Sequence, residues 1–130
     1  MKPSPPSPLS KPFCRARLAL AAALGFAAVV LGALGAHALA GGLDLRGTRG
    51  VWETAVLYHF VHVIVLLFLA LVAEVPGAVV VLFVAGIVCF SGSLYVLALA
   101  SVPWLGPVTP LGGLFLLAGW AGLFLKGVRR

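Results

Sequence analysis

The side chains that could do chemistry are few and bunched. His59 and His62 stand three residues apart, a spacing that lets two imidazoles reach one metal ion from a single helix face. Glu53, Thr54 and Tyr58 lie just before them, Ser91, Ser93 and Tyr95 form a second group, and His37 stands alone upstream. As a metal or haem site this set is incomplete. No cysteine lies near the histidines, and Glu53 falls on a different arc when positions advance by about 100° each. As a hydrolase, Ser91 or Ser93 with His62 lacks both a nucleophile elbow and a third member. The Gly41-Gly42 segment has neither the spacing nor the lysine of a phosphate-binding loop. No catalytic residue, metal ligand set or cofactor is therefore expected.

The elements that must position these residues are membrane spans. Residues 18–36 carry no charged or hydrogen-bonding side chain, and at ~1.5 Å per residue they extend about 28 Å, close to the ~30 Å hydrocarbon core. Comparable runs recur, and the pattern predicts helices at about 18–40, 51–73, 78–100 and 111–125. The expected fold is all-α, an integral membrane four-helix bundle. GGLDLRGTRG separates the first two spans, Glu74-Val75-Pro76-Gly77 the next two, and a proline-rich stretch at 101–110 the last two. Thr109 before Pro110 reads as a start signal for the last helix, and Lys126 should snorkel to the interface at its end. An apolar content of 62% with 9% charged residues leaves too little polar surface for a soluble globule. The net charge of +6 would suggest nucleic acid in another chain, but here the charges sit at helix ends, so no nucleic-acid partner is expected.

Basic residues set the expected orientation. Lys2, Lys11, Arg15 and Arg17 precede the first span and Lys126, Arg129 and Arg130 follow the last, against Arg46 and Arg49 in the first loop. With four spans both termini share a side, which should be cytoplasmic. Residues 1–17 read as a disordered, proline-rich basic tail and 126–130 as a second basic tail. Trp52 and Trp104 should then lie at the outer interface. A rival reading, with the first span as a signal peptide cleaved at Ala36-His37-Ala38 or Ala38-Leu39-Ala40, meets an apolar stretch longer than the ~7 to 15 residues of a typical signal core.

Association inside a bilayer needs close backbone contact and interhelical hydrogen bonds. Ala28, Gly32, Ala36 and Ala40 make a small-residue stripe at spacing four, and Gly86, Gly92, Gly112, Gly113 and Gly119 supply small surfaces on the last two spans. Nearly every polar residue within the spans falls in the outer leaflet. His37 and Glu53 come out roughly 3 to 5 Å deep, and His59, His62, Ser91 and Ser93 roughly 10 to 16 Å. Thr54, Tyr58 and His62 line up with His59 beside them, so this stripe should face the bundle. Depth matching suggests His59 or His62 against Ser91 or Ser93, and His37 against Glu53.

Four strings carry a resemblance. GALGAH at 32–37, WETAVLYHFVH at 52–62, FSGSLY at 90–95 and GPVTPLGG at 106–113 resemble, in order and spacing, the YgdD family of small bacterial inner-membrane proteins of uncharacterised function. That family is related to the transmembrane protein 256 group. The resemblance implies four spans in the bacterial plasma membrane and brings no reaction or ligand. Its pattern falls on Gly35, His37, Thr54, Ala55, Tyr58, His62, Gly92, Ser93, Tyr95, Pro110 and Gly112, with His59 outside it. The expected role is non-enzymatic: a membrane component that packs against lipid, a second copy or another membrane protein. A small oligomeric channel or transporter lined by the His/Tyr/Ser cluster is the alternative, with metal or haem binding third.

Overall fold

The computed structural model describes residues 14–72 and 74–129, all of whose regular elements are helical. Four helical stretches are long and apolar enough to cross a membrane. The first is α1 (Arg15–Ala36). A short helix, α2 (Ala40–Arg46), leads into α3 (Arg49–Leu71). The third stretch is compound: α4 (Gly77–Gly86) passes through a π-helical turn at Ile87–Ser91 into α5 (Gly92–Leu99). A 3-10 turn at Pro103–Leu105 precedes α6 (Val108–Val128). Most of the proline-rich tail expected at 1–17 lies outside the described residues, although Arg15 and Arg17 are already in the first turn of α1.

The inner helices are α3 and α4–α5. Helix α1 packs along α3, α6 packs along α4 and the π turn, and α3 meets α5 and the π turn between them. Both ends are tied. At one, the Cys14 amide donates to the Ala70 carbonyl and the Arg17 guanidinium to that of Val75. At the other, Thr48 donates to the Ala98 carbonyl at 2.8 Å and Arg46 to that of Leu99.

Several boundaries differ from the sequence expectation, each for a local reason. The first span stops at Ala36, and GGLDLRGTRG is largely helical because Leu43 is buried against Trp52, Tyr95 and Ala98. Gly47 ends that helix in the left-handed region at φ 66°, where its amide caps the Asp44 and Leu43 carbonyls. The last helix begins three residues before 111, because Pro110 sits in the first turn, where a missing amide costs nothing. Thr109 caps nothing there. Lys126 lies within a helix that continues to Val128, so that end is not a free tail.

The small-residue contacts also follow a different period. Ala21, Ala28 and Gly35 are the buried positions of α1, a spacing of seven that keeps one seam facing α3. The spacing-four stripe drifts off it by about 40° per step. Gly32 is half-buried with room for a Cβ 3.5 Å from Val56, Ala36 is exposed, and Ala40 belongs to α2. Against α6 the approach is closer. A Cβ on Gly112 would lie 2.7 Å from the Phe90 Cα in the π turn, one on Gly86 2.6 Å from Leu116 Cγ, and one on Gly119 3.0 Å from the Phe83 ring. Gly113 is looser, at 3.8 Å from the Phe90 ring, and Gly92 faces open space.

Candidate functional site

The face that α3 turns inward carries Trp52, Ala55, His59, His62, Leu66 and Leu69, an alternation of three and four residues. Each polar member of that row reaches across to a different neighbour. The Trp52 indole fits against Gly35, where any Cβ would overlap the ring, and its N–H donates to the Leu31 carbonyl at 3.0 Å. Its ring meets Tyr95 edge to face at 4.8 Å between centroids. Trp52 is therefore an internal rivet between α1, α3 and α5, in the first turn of α3 but turned into the bundle. Trp104, 72% exposed, has the exposure expected of an interfacial tryptophan.

One turn on, His59 Nδ1 lies 3.2 Å from the Tyr95 hydroxyl, both groups buried. Its Nε2 is buried with no hydrogen-bond partner among the described residues. His62 follows with both nitrogens engaged. Trp120 Nε1 donates to His62 Nε2 at 3.2 Å, and Nδ1 lies 2.7 Å from the Tyr58 carbonyl. An indole nitrogen only donates and a carbonyl only accepts, so these partners assign His62 a neutral ring with its proton on Nδ1. In that state it has no lone pair left for a metal. Among the described residues no group of three or more His, Cys, Asp or Glu side chains converges.

The second cluster closes α5 onto α6. Ser93 donates to the Phe90 carbonyl at 3.0 Å, and the Thr109 hydroxyl lies 2.7 Å from Ser93 Oγ; with the serine proton directed to Phe90, threonine is the donor. Ser91, 1% exposed at the end of the π turn, leaves its hydroxyl without a partner among the described residues.

The remaining expected residues turn elsewhere. Thr54 is exposed, its hydroxyl returned to the Gly50 carbonyl at 2.8 Å, which removes its need for a bundle partner. Tyr58 is 42% exposed and packs on Phe90 at 4.6 Å and His62 at 6.0 Å. His37 and Glu53 are both exposed and form no pair with each other: His37 ends α1, and the charge near Glu53 is Arg49. Neither histidine bonds Ser91 or Ser93; their side-chain partners across the bundle are Tyr95 and Trp120.

Sequence reasoning missed Trp52, Trp120 and Thr109 as partners. An indole N–H in an apolar span needs an acceptor, and that signal was available. It also missed the pair at the loop end, where Arg49 grips Asp44 through two nitrogens and reaches the Ala40 carbonyl at 3.2 Å. That bonding holds the Asp44 carboxyl below its usual range.

Residues 31–113, which include Trp52, His59, His62, Ser93, Tyr95 and Thr109 but not Trp120, match the family model described as "Protein of unknown function (DUF423)". The chain is similar to the UPF0382 membrane protein YwdK of Bacillus subtilis, 40% identical over 78% of this chain and 87% of that one. It is likewise similar to the UPF0382 inner membrane protein YgdD of Escherichia coli, 37% identical over 88% of this chain and 91% of its relative. A Staphylococcus haemolyticus UPF0382 membrane protein is 42% identical over 73% of this chain and 80% of its own length. No solved structure matches. With the family matched over most of its length and four spans in its fold, the chain belongs to the DUF423 family and is a multi-pass protein of the bacterial inner membrane.

Proposed function

We propose that this protein is a non-catalytic membrane component that acts through its apolar outer faces on lipid or on neighbouring membrane proteins. One observation carries the reading: three of the polar groups that would serve a reaction or an ion path, His59 Nδ1, His62 and Ser93, are engaged as clasps between helices. His62 joins α3 to α6, His59 joins α3 to α5, and Ser93 joins α5 to α6. In a bilayer each such bond contributes about 0.6 to 2 kcal/mol to association, a structural role sufficient to account for them. What faces outward is greasy, including Phe26 on α1, Ile64 and Phe68 on α3, and Leu117 and Phe124 on α6. Arg15, Arg17, Lys126 and Arg129 gather at the end that holds the termini, which supports a cytoplasmic placement of both.

The test compares the native chain with His62→Ala in two assays. In proteoliposomes, a proton or cation flux that the native chain supports and a folded His62→Ala variant loses would establish permeation and overturn the proposal. Crosslinking in native membranes followed by mass spectrometry should instead recover lipid or protein adducts on the outward faces of α1, α3 and α6. Adducts spread evenly over every exposed residue would count against a defined docking role.

A further inference from the structure

Between α3 and α6, from Trp120 to Lys126, the surface is hollow. The space between them is an apolar groove of about 570 Å³, open toward lipid, with the buried Leu69 and Val75 at its floor and Ile64 and Phe68 along one wall. Its depth and its mouth differ in chemistry. Trp120 closes the deep end, where its indole is fixed by the bond to His62 and the edge of Phe83. Lys126, in the last turn of α6 and half-buried, stands at the other end, with its stem along the groove.

A greasy trough with a lysine at its mouth matches one amphiphile. We infer that the groove seats one acyl chain of an anionic phospholipid whose phosphate pairs with Lys126. The charge decides between lipids: a zwitterionic headgroup gains little net attraction from Lys126, whereas a headgroup of net charge −1 keeps it. Arg129 lies one turn beyond, flanking the adjacent hollow with Lys126, and strengthens the positive field there. Glu74 borders that same hollow and opposes it, so the field at the mouth is smaller than the basic residues alone would give. The inference rests on the reading that the outer faces work against lipid, and it names the class of lipid for one of them.

Trp120 reports on the groove directly. In a Trp104→Phe background the remaining indoles are Trp120 and the buried Trp52, and a Trp104→Phe/Trp120→Phe variant gives the Trp52 signal to subtract. The probe is chain-brominated phosphatidylglycerol present as a minor component in unlabelled phosphatidylcholine vesicles, compared with brominated phosphatidylcholine in the reverse mixture. Per labelled lipid, the anionic probe should quench Trp120 about fivefold more strongly, the preference one basic residue gives at a membrane surface. Lys126→Gln, at a half-exposed site near the helix end, should bring the two probes to parity without altering the fold. Equal quenching by both headgroups in the native groove would overturn the inference. So would the same preference at Trp104, read in Trp120→Phe, because it would report general attraction to a basic protein. Either result leaves the His62 flux comparison unaffected, so the two readings fail separately.

Discussion

Trp120 of α6 donates its indole proton to His62 of α3 across a span of sequence in which α4, the π turn and α5 intervene. The bond makes a histidine in a membrane helix an acceptor, fixes its tautomer, and joins two helices that border a groove. Trp120→Phe keeps the ring and removes the proton. It should destabilise the fold by about 1 kcal/mol, within the range measured for interhelical bonds in bilayers. In a double-mutant cycle with His62→Leu, read by reversible unfolding in mixed detergent micelles, the two losses should be less than additive by about 0.6 to 2 kcal/mol. Strict additivity would mean that the pair contributes nothing as a pair.

Gly112 is the tightest point between α6 and the π turn, since its missing Cβ would strike the Phe90 and Cys89 backbone. Backbone cannot rotate out of the way as a side chain tip can. Gly112→Ala should therefore cost about 1 to 3 kcal/mol, the range for overpacking, and lower the thermal midpoint in detergent. Gly92→Ala, on open space, should be neutral or slightly stabilising through helix propensity. Equal effects at the two glycines would show that α6 does not approach the π turn this closely.

The number of spans was legible because hydropathy counts residues against bilayer thickness, and that comparison needs no knowledge of neighbours. Rotation was not. Each long helix is apolar on all sides, so polarity alone put Thr54 and Tyr58 inward, while packing selected the arc of Trp52, Ala55, His59 and His62. His59 and His62 were found because both arcs contain them. Trp52 was placed at the end of its span because indoles often sit there, but that says nothing of which way it turns, and the missing side chain of Gly35 explains how it can face inside. The π turn has no sequence signature among the residues it contains. The groove ending in Lys126 depends on how two helices lie against each other, which no spacing encodes.

Gly35 supplies a direct check on that point. Gly35→Ala should expel the Trp52 ring, break its bond to the Leu31 carbonyl, and shift part of the tryptophan emission to the red. Gly32→Ala, with its Cβ in ordinary contact with Val56, should leave the emission unchanged. If Gly32→Ala were the more damaging change, α1 would be packed through its spacing-four stripe after all.

Asp44 and Arg49 make the loop end sensitive to acid. The native carboxyl lies below its ordinary value, mainly because Arg49 hydrogen-bonds it. A depressed acid constant means that the folded chain binds the proton less readily than the unfolded one. The contribution is thus full above the unfolded value of about 3.9 and disappears as pH falls through the lower native value. The difference in thermal midpoint between the native chain and Asp44→Asn should be present at pH 6 to 7 and shrink progressively as the pH is taken below the unfolded value of about 3.9. Because the pair is exposed, the difference should also shrink in high salt. A gap independent of pH would mean that asparagine perturbs α2 by another route.

Ser91 tests the opposite case, a polar group whose removal should help. Its hydroxyl is buried at 1% exposure with no partner among the described residues, so the folded state bears the cost of dehydrating it and recovers no bond. Ser91→Ala deletes one oxygen and leaves a void too small to offset that gain. The variant should be neutral or more stable by up to about 1 kcal/mol. Tyr95→Phe makes the contrast, because it strips His59 Nδ1 of its hydroxyl partner while Nε2 is already unpaired, and it should destabilise by about 1 to 3 kcal/mol. Measuring both in the same unfolding assay separates a wasted hydroxyl from a working one. A large loss in Ser91→Ala would reveal that this oxygen holds a bond in the bilayer, and the interior of the bundle beside the π turn would then have to contain a polar ligand or a water.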